Sequence, residues 1–310
     1  MPHSTEKPES VEAYVNYHLP PPKGEPYPVQ MIATVGFQRT KYNRQLVTMT
    51  DMRTCDEEFN LDKQGFKVVE STIKEKEWDG DYRFGLPPQL LRDMQELLMK
   101  HTGATYVHPF APHVIRRDPH EKVLNIPDDL PDSEILKMQP PAMFVHVDQS
   151  YQGAEVVLDR LPEAEMLRGK TKTRWGIVNI WQPLKLVQRE PLAVCDARSV
   201  EDSDLRPVTT RIVIEKPPNT VNKDNEQWHM VANSPHKCNL TPDEALLIKI
   251  FDTKLDGRAR RVPHTAVQTP KDQGPPRESI EIRCLVFGKT SISSSISEGM
   301  QWPSTFLKQN

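Results

Sequence analysis

Apolar residues recur along this chain at two spacings, and the change of spacing predicts its elements. Over residues 88–101 the spacing is helical. Leu90, Leu91, Met94, Leu97 and Leu98 form one face, Pro87 and Pro88 open the segment, and Gly103 can end it. Elsewhere the apolar runs are short, Val- and Ile-rich and partly alternating, the pattern of strands. Two precede the helix, at 45–50 and 65–70. The others follow it, at 142–147, 173–180, 192–196, 208–214, 226–232, 245–251 and 279–287. A helical insert at roughly 153–168 interrupts them after Asp148. No internal repeat is visible at a solenoid period. A helix-bearing front end followed by many short strands predicts a mainly β fold with flanking helices, a jelly-roll or cupin-like double sheet.

Composition narrows the class. With 36% hydrophobic and 27% charged residues, the 310-residue chain is globular rather than disordered or membrane-spanning. Polar, Pro-rich ends at 1–12 and 291–310 read as arms around a single domain, its core roughly 100–290. The net charge of −3, without a dense basic stripe, argues against a nucleic-acid partner. Cys55, Cys195, Cys238 and Cys284 stand far apart with no Cys-x-x-Cys pair, which fits a reducing cytosol. The first ten residues lack the basic start and apolar stretch of a signal peptide, and no apolar run reaches the ~18 residues that cross a bilayer. The expectation is a cytoplasmic protein without a membrane partner; a homo-oligomer is compatible with it.

The candidate chemistry lies in Phe144-Val145-His146-Val147-Asp148. Side chains at i and i+2 of a strand share a face, so His146 and Asp148 can present an imidazole and a carboxylate to one ion. Alone, the triplet is weak: a core histidine and an Asp148 capping the next helix explain it equally well. A second half supports it. His264 follows the apolar run ending at Phe251, and Arg277-Glu278-Ser279 opens the last strand. Two histidines and a carboxylate on one face of an octahedron leave three positions open, as in non-haem Fe(II) oxygenases. Arg277 and Ser279 share a strand face and can grip one carboxylate, for which the planar guanidinium fork is suited. His108 and His113 flank a Pro-rich turn, and His236 sits in a polar loop; these read as structural or exposed. Tyr82, Trp181, Gln182, Trp228 and His229 are candidates to line a substrate pocket, against the simpler reading as packed side chains.

With these segments the chain resembles the fungal hydroxylase/desaturase family of Fe(II)/2-oxoglutarate-dependent oxygenases over roughly residues 25–290. The matching segments are His113-Val114-Ile115-Arg116, His146-Val147-Asp148-Gln149-Ser150 and Asn179-Ile180-Trp181-Gln182-Pro183-Leu184. They continue with Pro191-Leu192-Ala193-Val194-Cys195-Asp196, Pro242-Asp243-Glu244-Ala245 with Lys249 and Asp252, Pro263-His264-Thr265, and Arg277 through Arg283. The resemblance implies a double-stranded β-helix, Fe(II) on His146, Asp148 and His264, and 2-oxoglutarate as co-substrate on Arg277 with Ser279. It also implies a small-molecule substrate of fungal secondary metabolism, oxidised with dioxygen by hydroxylation, desaturation or cyclisation. Gln182 departs from the family's Trp-Arg-Pro-Leu segment, which puts substrate choice at that position in question. Two alternatives stand beside this reading: an iron oxidase that needs no 2-oxoglutarate, and a non-catalytic biosynthetic partner protein. No glycine-rich strand–turn–helix loop for S-adenosylmethionine or a dinucleotide is present.

Overall fold

A computed structural model describes residues 8–73, 85–138, 140–212, 224–231, 236–238 and 242–288. The strands are β1 (Ser10–Tyr17), β2 (Gln30–Ile32), β3 (Asn43–Thr50), β4 (Phe66–Glu70), β5 (Tyr106–Arg116), β6 (His146–Val147) and β7 (Trp175–Pro183). They continue with β8 (Leu192–Val194), β9 (Leu205–Ile212), β10 (Asp224–Met230), β11 (His236–Cys238), β12 (Glu244–Asp252), β13 (His264–Ala266) and β14 (Ser279–Phe287). The helices are α1 (Val35–Gln38), α2 (Pro88–Thr102), α3 (Glu121–Leu124), α4 (Tyr151–Arg160) and α5 (Ala164–Lys170).

Alternation along the strands sorts the side chains into layers. The large sheet, of five mostly long strands, runs β4-β12-β7-β14-β5; the small one, of seven mostly short strands, runs β11-β8-β13-β6-β10-β9-β2; and β1 pairs with β3 in a ribbon. All ladders are antiparallel except β2 with β9. Between the two main sheets, Trp175, Ile177 and Trp181 of β7, Leu246, Ile248 and Ile250 of β12, and Leu285 and Phe287 of β14 meet Val147, Leu192 and Val194 of the small sheet. The opposite face of the large sheet, with Val178, Ile180, Leu247, Ile280 and Ile282, receives Leu90, Met94, Leu97 and Leu98 of α2. Each of these four buried helix side chains contributes about 2 kcal/mol of burial free energy. The outer face of the small sheet is covered by Ala13, Val15, Tyr17 and Met49 of the β1–β3 ribbon. The result is the expected double-stranded β-helix. Both faces of β7 are covered, which explains its nine consecutive buried residues.

Most expected elements are present, with instructive differences. The helix α2 spans Pro88–Thr102, and Gly103 ends it at φ 69°, a left-handed position suited to glycine. The Pro-rich His108–His113 stretch lies in β5 rather than a turn. β5 is an edge strand, where proline's missing N–H is tolerated, and its pairing with β14 is irregular between Glu281 and Arg283. The helical insert is two helices. Pro162 disfavours helical geometry at Leu161, and α4 stops at Arg160. The strand expected at 142–147 shrinks to β6. Its upstream backbone bonds elsewhere, with Val145 N donating to Asn16 O and Ala266 N to Ala142 O. β1 begins inside the stretch read as an N-terminal arm, and residue 236 opens β11 rather than sitting in a loop. Residues 1–7 and 291–310 lie outside the described residues. Among the described residues, no helix is long and apolar enough to cross a membrane.

One contact fixes how α4 leaves the small sheet. A Cβ on Gly153 would stand 2.1 Å from the carbonyl oxygen of Glu226 on β10, so α4 approaches that strand as only glycine permits. Gly153→Ala is expected to destabilise the protein by about 2 kcal/mol, roughly 4–8 °C in melting temperature. Unchanged melting would mean that the helix can slide without penalty.

Candidate metal and co-substrate site

The three candidate ligands converge because neighbouring strands of the small sheet carry two of them. His264 on β13 lies directly opposite His146 on β6, and His229 of β10 lies opposite His146 on its other side. Asp148 stands one residue past β6, in the bend before α4. Ser150, not Asp148, caps that helix, accepting from Gly153 N at 2.8 Å, so the carboxylate is not needed as a cap. One ligand atom from each of His146, Asp148 and His264 lies within 4.8 Å of the others, and all three residues are buried.

Their hydrogen bonds leave the inward atoms for a metal. His146 Nδ1 lies 2.9 Å from Phe144 O and His264 Nδ1 lies 3.1 Å from Val262 O. A carbonyl only accepts, so each Nδ1 carries a hydrogen and Nε2 is the ring nitrogen left to face inward. His264 Nε2 is buried and has no protein partner. Burial, with His146 beside it, pushes His264 down to about 4, so it is neutral at neutral pH. Burial would raise the Asp148 carboxyl, but Arg283 and the two histidines outweigh it and hold the group well below the usual carboxylate range. Two imidazoles with outward N–H groups tied down, plus one carboxylate, are a donor set that fits a divalent transition metal.

Two residues with no role assigned in the sequence complete this arrangement. Asn179 Nδ2 donates to Asp148 Oδ2 at 2.6 Å, and Arg283 Nε donates to the same oxygen at 3.1 Å. Arg283 also faces Glu281 at 3.6 Å. The signal was present as polar residues at 277, 279, 281 and 283, alternating with Ile280, Ile282 and Cys284. Asn179 is likewise an amide set among the apolar residues Ile177, Val178, Ile180 and Trp181 of β7.

Arg277 and Ser279 are buried on the same edge of the large sheet, with Ser279 flanked by Pro183 and Arg116 across the ladders. Arg277 Nη1 donates to Glu190 O at 2.7 Å, its guanidinium lies 5.3 Å from the centre of the Trp181 ring, and its Nε has no partner. Burial, and then Arg116, lower this guanidinium to about 9. No carboxylate among the described residues is in ion-pair contact with it, although Glu190 and Glu281 stand near enough to favour its charged form, so the fold holds a buried cation with its donor fork open to an anion.

The remaining candidates separate. Trp181 faces the interior beside Arg277, and His229 is buried with its ring centroid 5.1 Å from that of Phe144. Trp228 pairs with Val147 and packs edge-on against Tyr151. Gln182 is a correction. It lies opposite Ile280, on the face turned to α2, and its amide is engaged by Ser71 Oγ at 2.9 Å and Pro242 O at 3.0 Å. A one-residue step along a strand reverses the face, which takes Gln182 out of the interior that holds Trp181. Tyr82 lies outside the described residues.

A family model described as Oxidoreductase/YMDC permease-like domain matches residues 15–287. The chain is 46% identical to the hydroxylase/desaturase efuI of Hormonema carpetanum, over 82% of this chain and 87% of that protein. It is 41% identical to the hydroxylase/desaturase CTB9 of Cercospora beticola, over 88% and 85% of the two chains. The alpha-ketoglutarate-dependent dioxygenase phiK of a fungal species is 30% identical over 92% of this chain and 99% of its own. Among solved structures, the iron and alpha-ketoglutarate-dependent endoperoxidase NvfI superposes with a TM-score of 0.69, covering 93% of this chain and 100% of that one. At 23% sequence identity, that likeness concerns the fold.

Proposed function

The chain belongs to the fungal hydroxylase/desaturase family of Fe(II)/2-oxoglutarate-dependent oxygenases, and we propose that His146, Asp148 and His264 are the ligands of its iron. It is an oxidoreductase that uses Fe(II), 2-oxoglutarate and dioxygen on a small molecule. Arg277 with Ser279 anchors the distal carboxylate of 2-oxoglutarate, and the substrate is an intermediate of fungal secondary metabolism. The observation that carries this assignment is the convergence of three buried ligands, two of them with outward nitrogens tied to carbonyls, beside a buried arginine without a carboxylate partner.

Bound there, iron with 2-oxoglutarate and dioxygen supplies the oxidising power for an unactivated C–H bond. The chain's own residues orient and shield. Phe144 O and Val262 O fix the tautomer and ring plane of the two histidines, and Asn179 with Arg283 aims the Asp148 carboxylate. Arg277 supplies a fixed donor fork, charged at neutral pH, that would neutralise the far end of a 2-oxo acid whose 2-oxo end is held at the ligand set. The apolar interior around Trp181, Leu246 and Ile248 keeps bulk water from the reacting atoms.

The test adds Fe(II) and then 2-oxoglutarate to metal-free protein under anaerobic conditions and records the visible spectrum. A weak charge-transfer band requiring both additions is expected, and it should be absent in His146→Ala. Iron uptake without a band would remove the bidentate 2-oxo acid from this reading.

A further inference from the structure

Arg277 is held by an uncommon piece of backbone. Glu190, two residues before β8, is a non-glycine residue at φ 51°, in the left-handed region that L side chains rarely adopt. Such a conformation persists only where its surroundings over-determine it. Glu190 N donates to Asp272 Oδ2 at 2.9 Å, and its side chain, 0% exposed, accepts from His120 N at 3.1 Å. Asp272 is itself fixed by Thr269 Oγ1 at 2.6 Å, and Gln273 N donates to Gln188 O at 3.0 Å. The segment before β8 is thus bound to the loop that leads from β13 to Arg277. What the unusual backbone delivers is the Glu190 carbonyl, 2.7 Å from Arg277 Nη1.

A guanidinium offers two edges that can grip a carboxylate with parallel N–H bonds: one formed by the two Nη atoms, the other by Nε and Nη2. Glu190 O takes one of the two Nη1 N–H groups and so fixes the plane of the guanidinium. Nε is buried without a partner, and no acceptor for Nη2 is present among the described residues, so the second edge is left complete. We propose that Glu190 is a positioning residue for the co-substrate. Its left-handed backbone turns its carbonyl onto Arg277 Nη1 and so presents the Nε/Nη2 edge to the distal carboxylate of the 2-oxo acid. The proposal rests on Arg277 being the anchoring arginine, as given above.

Affinity for 2-oxoglutarate and for pyruvate is measured by anaerobic titration of the Fe(II) protein and by calorimetry. The variants are Glu190→Ala, Glu190→Gln and Arg277→Ala. Pyruvate keeps the 2-oxo acid end and lacks the distal carboxylate. Glu190→Ala removes the side-chain anchor and leaves the backbone strain. It is expected to weaken 2-oxoglutarate about tenfold, the value of one charge-assisted hydrogen bond, with pyruvate and Fe(II) affinity unchanged. In turnover, KM for 2-oxoglutarate rises while kcat at saturation stays within about threefold. Glu190→Gln keeps an oxygen for His120 N and is expected to restore the affinity to within about threefold. Normal 2-oxoglutarate affinity in Glu190→Ala, alongside a large loss in Arg277→Ala, would overturn the proposal. So would parallel losses of Fe(II), pyruvate and 2-oxoglutarate binding, the sign of a merely structural defect. Wild-type affinity in Arg277→Ala would instead sink the assignment of Arg277, and the role of Glu190 with it.

Discussion

Asp148→Ala is expected to lose stoichiometric Fe(II) binding and about a thousandfold or more of 2-oxoglutarate turnover. Two imidazoles remain, but the one carboxylate of the proposed set is gone, so the site no longer compensates the charge of a divalent ion. A second consequence appears before any metal is added. Asn179 and Arg283 both donate to Asp148 in a buried setting, and truncation leaves a guanidinium there with Glu281 as its remaining acidic neighbour. Breaking a buried pair from one side costs about 3–5 kcal/mol, so metal-free Asp148→Ala should also melt well below the unaltered protein. Asp148→Asn, which keeps the shape and one acceptor, should recover part of the stability and little of the metal affinity. Metal titration and thermal melting separate the two effects, and a variant that still binds one Fe(II) with unchanged affinity would exclude Asp148 as a ligand.

How much of this was readable in the sequence depends on where the information lies. Spacing alone carried α2, the last strand and the i, i+2 relation of His146 to Asp148, because helices and strands impose their periods locally. It did not carry β5, where Pro109 and Pro112 read as a turn. That strand is admitted only because it lies at a sheet edge, a fact of topology rather than of local preference. Gln182 failed for a related reason. Its neighbour Trp181 looks inward, and only the register against Ile280 shows which of the two faces the interior. The proposed metal ligands were legible as residue types, and the residues that aim them were not. Asn179 and Arg283 reach Asp148 from β7 and β14, whose adjacency is set by pairing across more than a hundred residues. Glu190 left no mark at all, since its contribution is a main-chain carbonyl and a left-handed φ.

Replacing Arg277 should act in the opposite sense on stability. Asp148 is a buried charge with its partners in contact; Arg277 is one with no carboxylate in contact. Burial and the neighbouring Arg116 lower its guanidinium to about 9, meaning that in the ligand-free fold the charged form is the disfavoured one, and at neutral pH that form is the one buried. Arg277→Met fills a similar volume and removes the charge, so the ligand-free variant is expected to melt at or above the unaltered protein, as replacement of buried charges by apolar groups often gives. Function should move the other way. The loss of a desolvated, charge-paired contact costs about 2–5 kcal/mol, which raises KM for 2-oxoglutarate by roughly thirtyfold to several thousandfold. Arg277→Lys should fall between the two, because an ammonium restores the charge without the Nε/Nη2 fork. The pairing of a melting temperature that holds or rises with a KM that climbs is the signature of a site kept ready for a ligand, in which stability is given up for binding. Should Arg277→Met melt several degrees lower and bind 2-oxoglutarate normally, Arg277 would be a structural residue, and the anchoring cation would have to be sought at Arg116, across the ladder from Ser279.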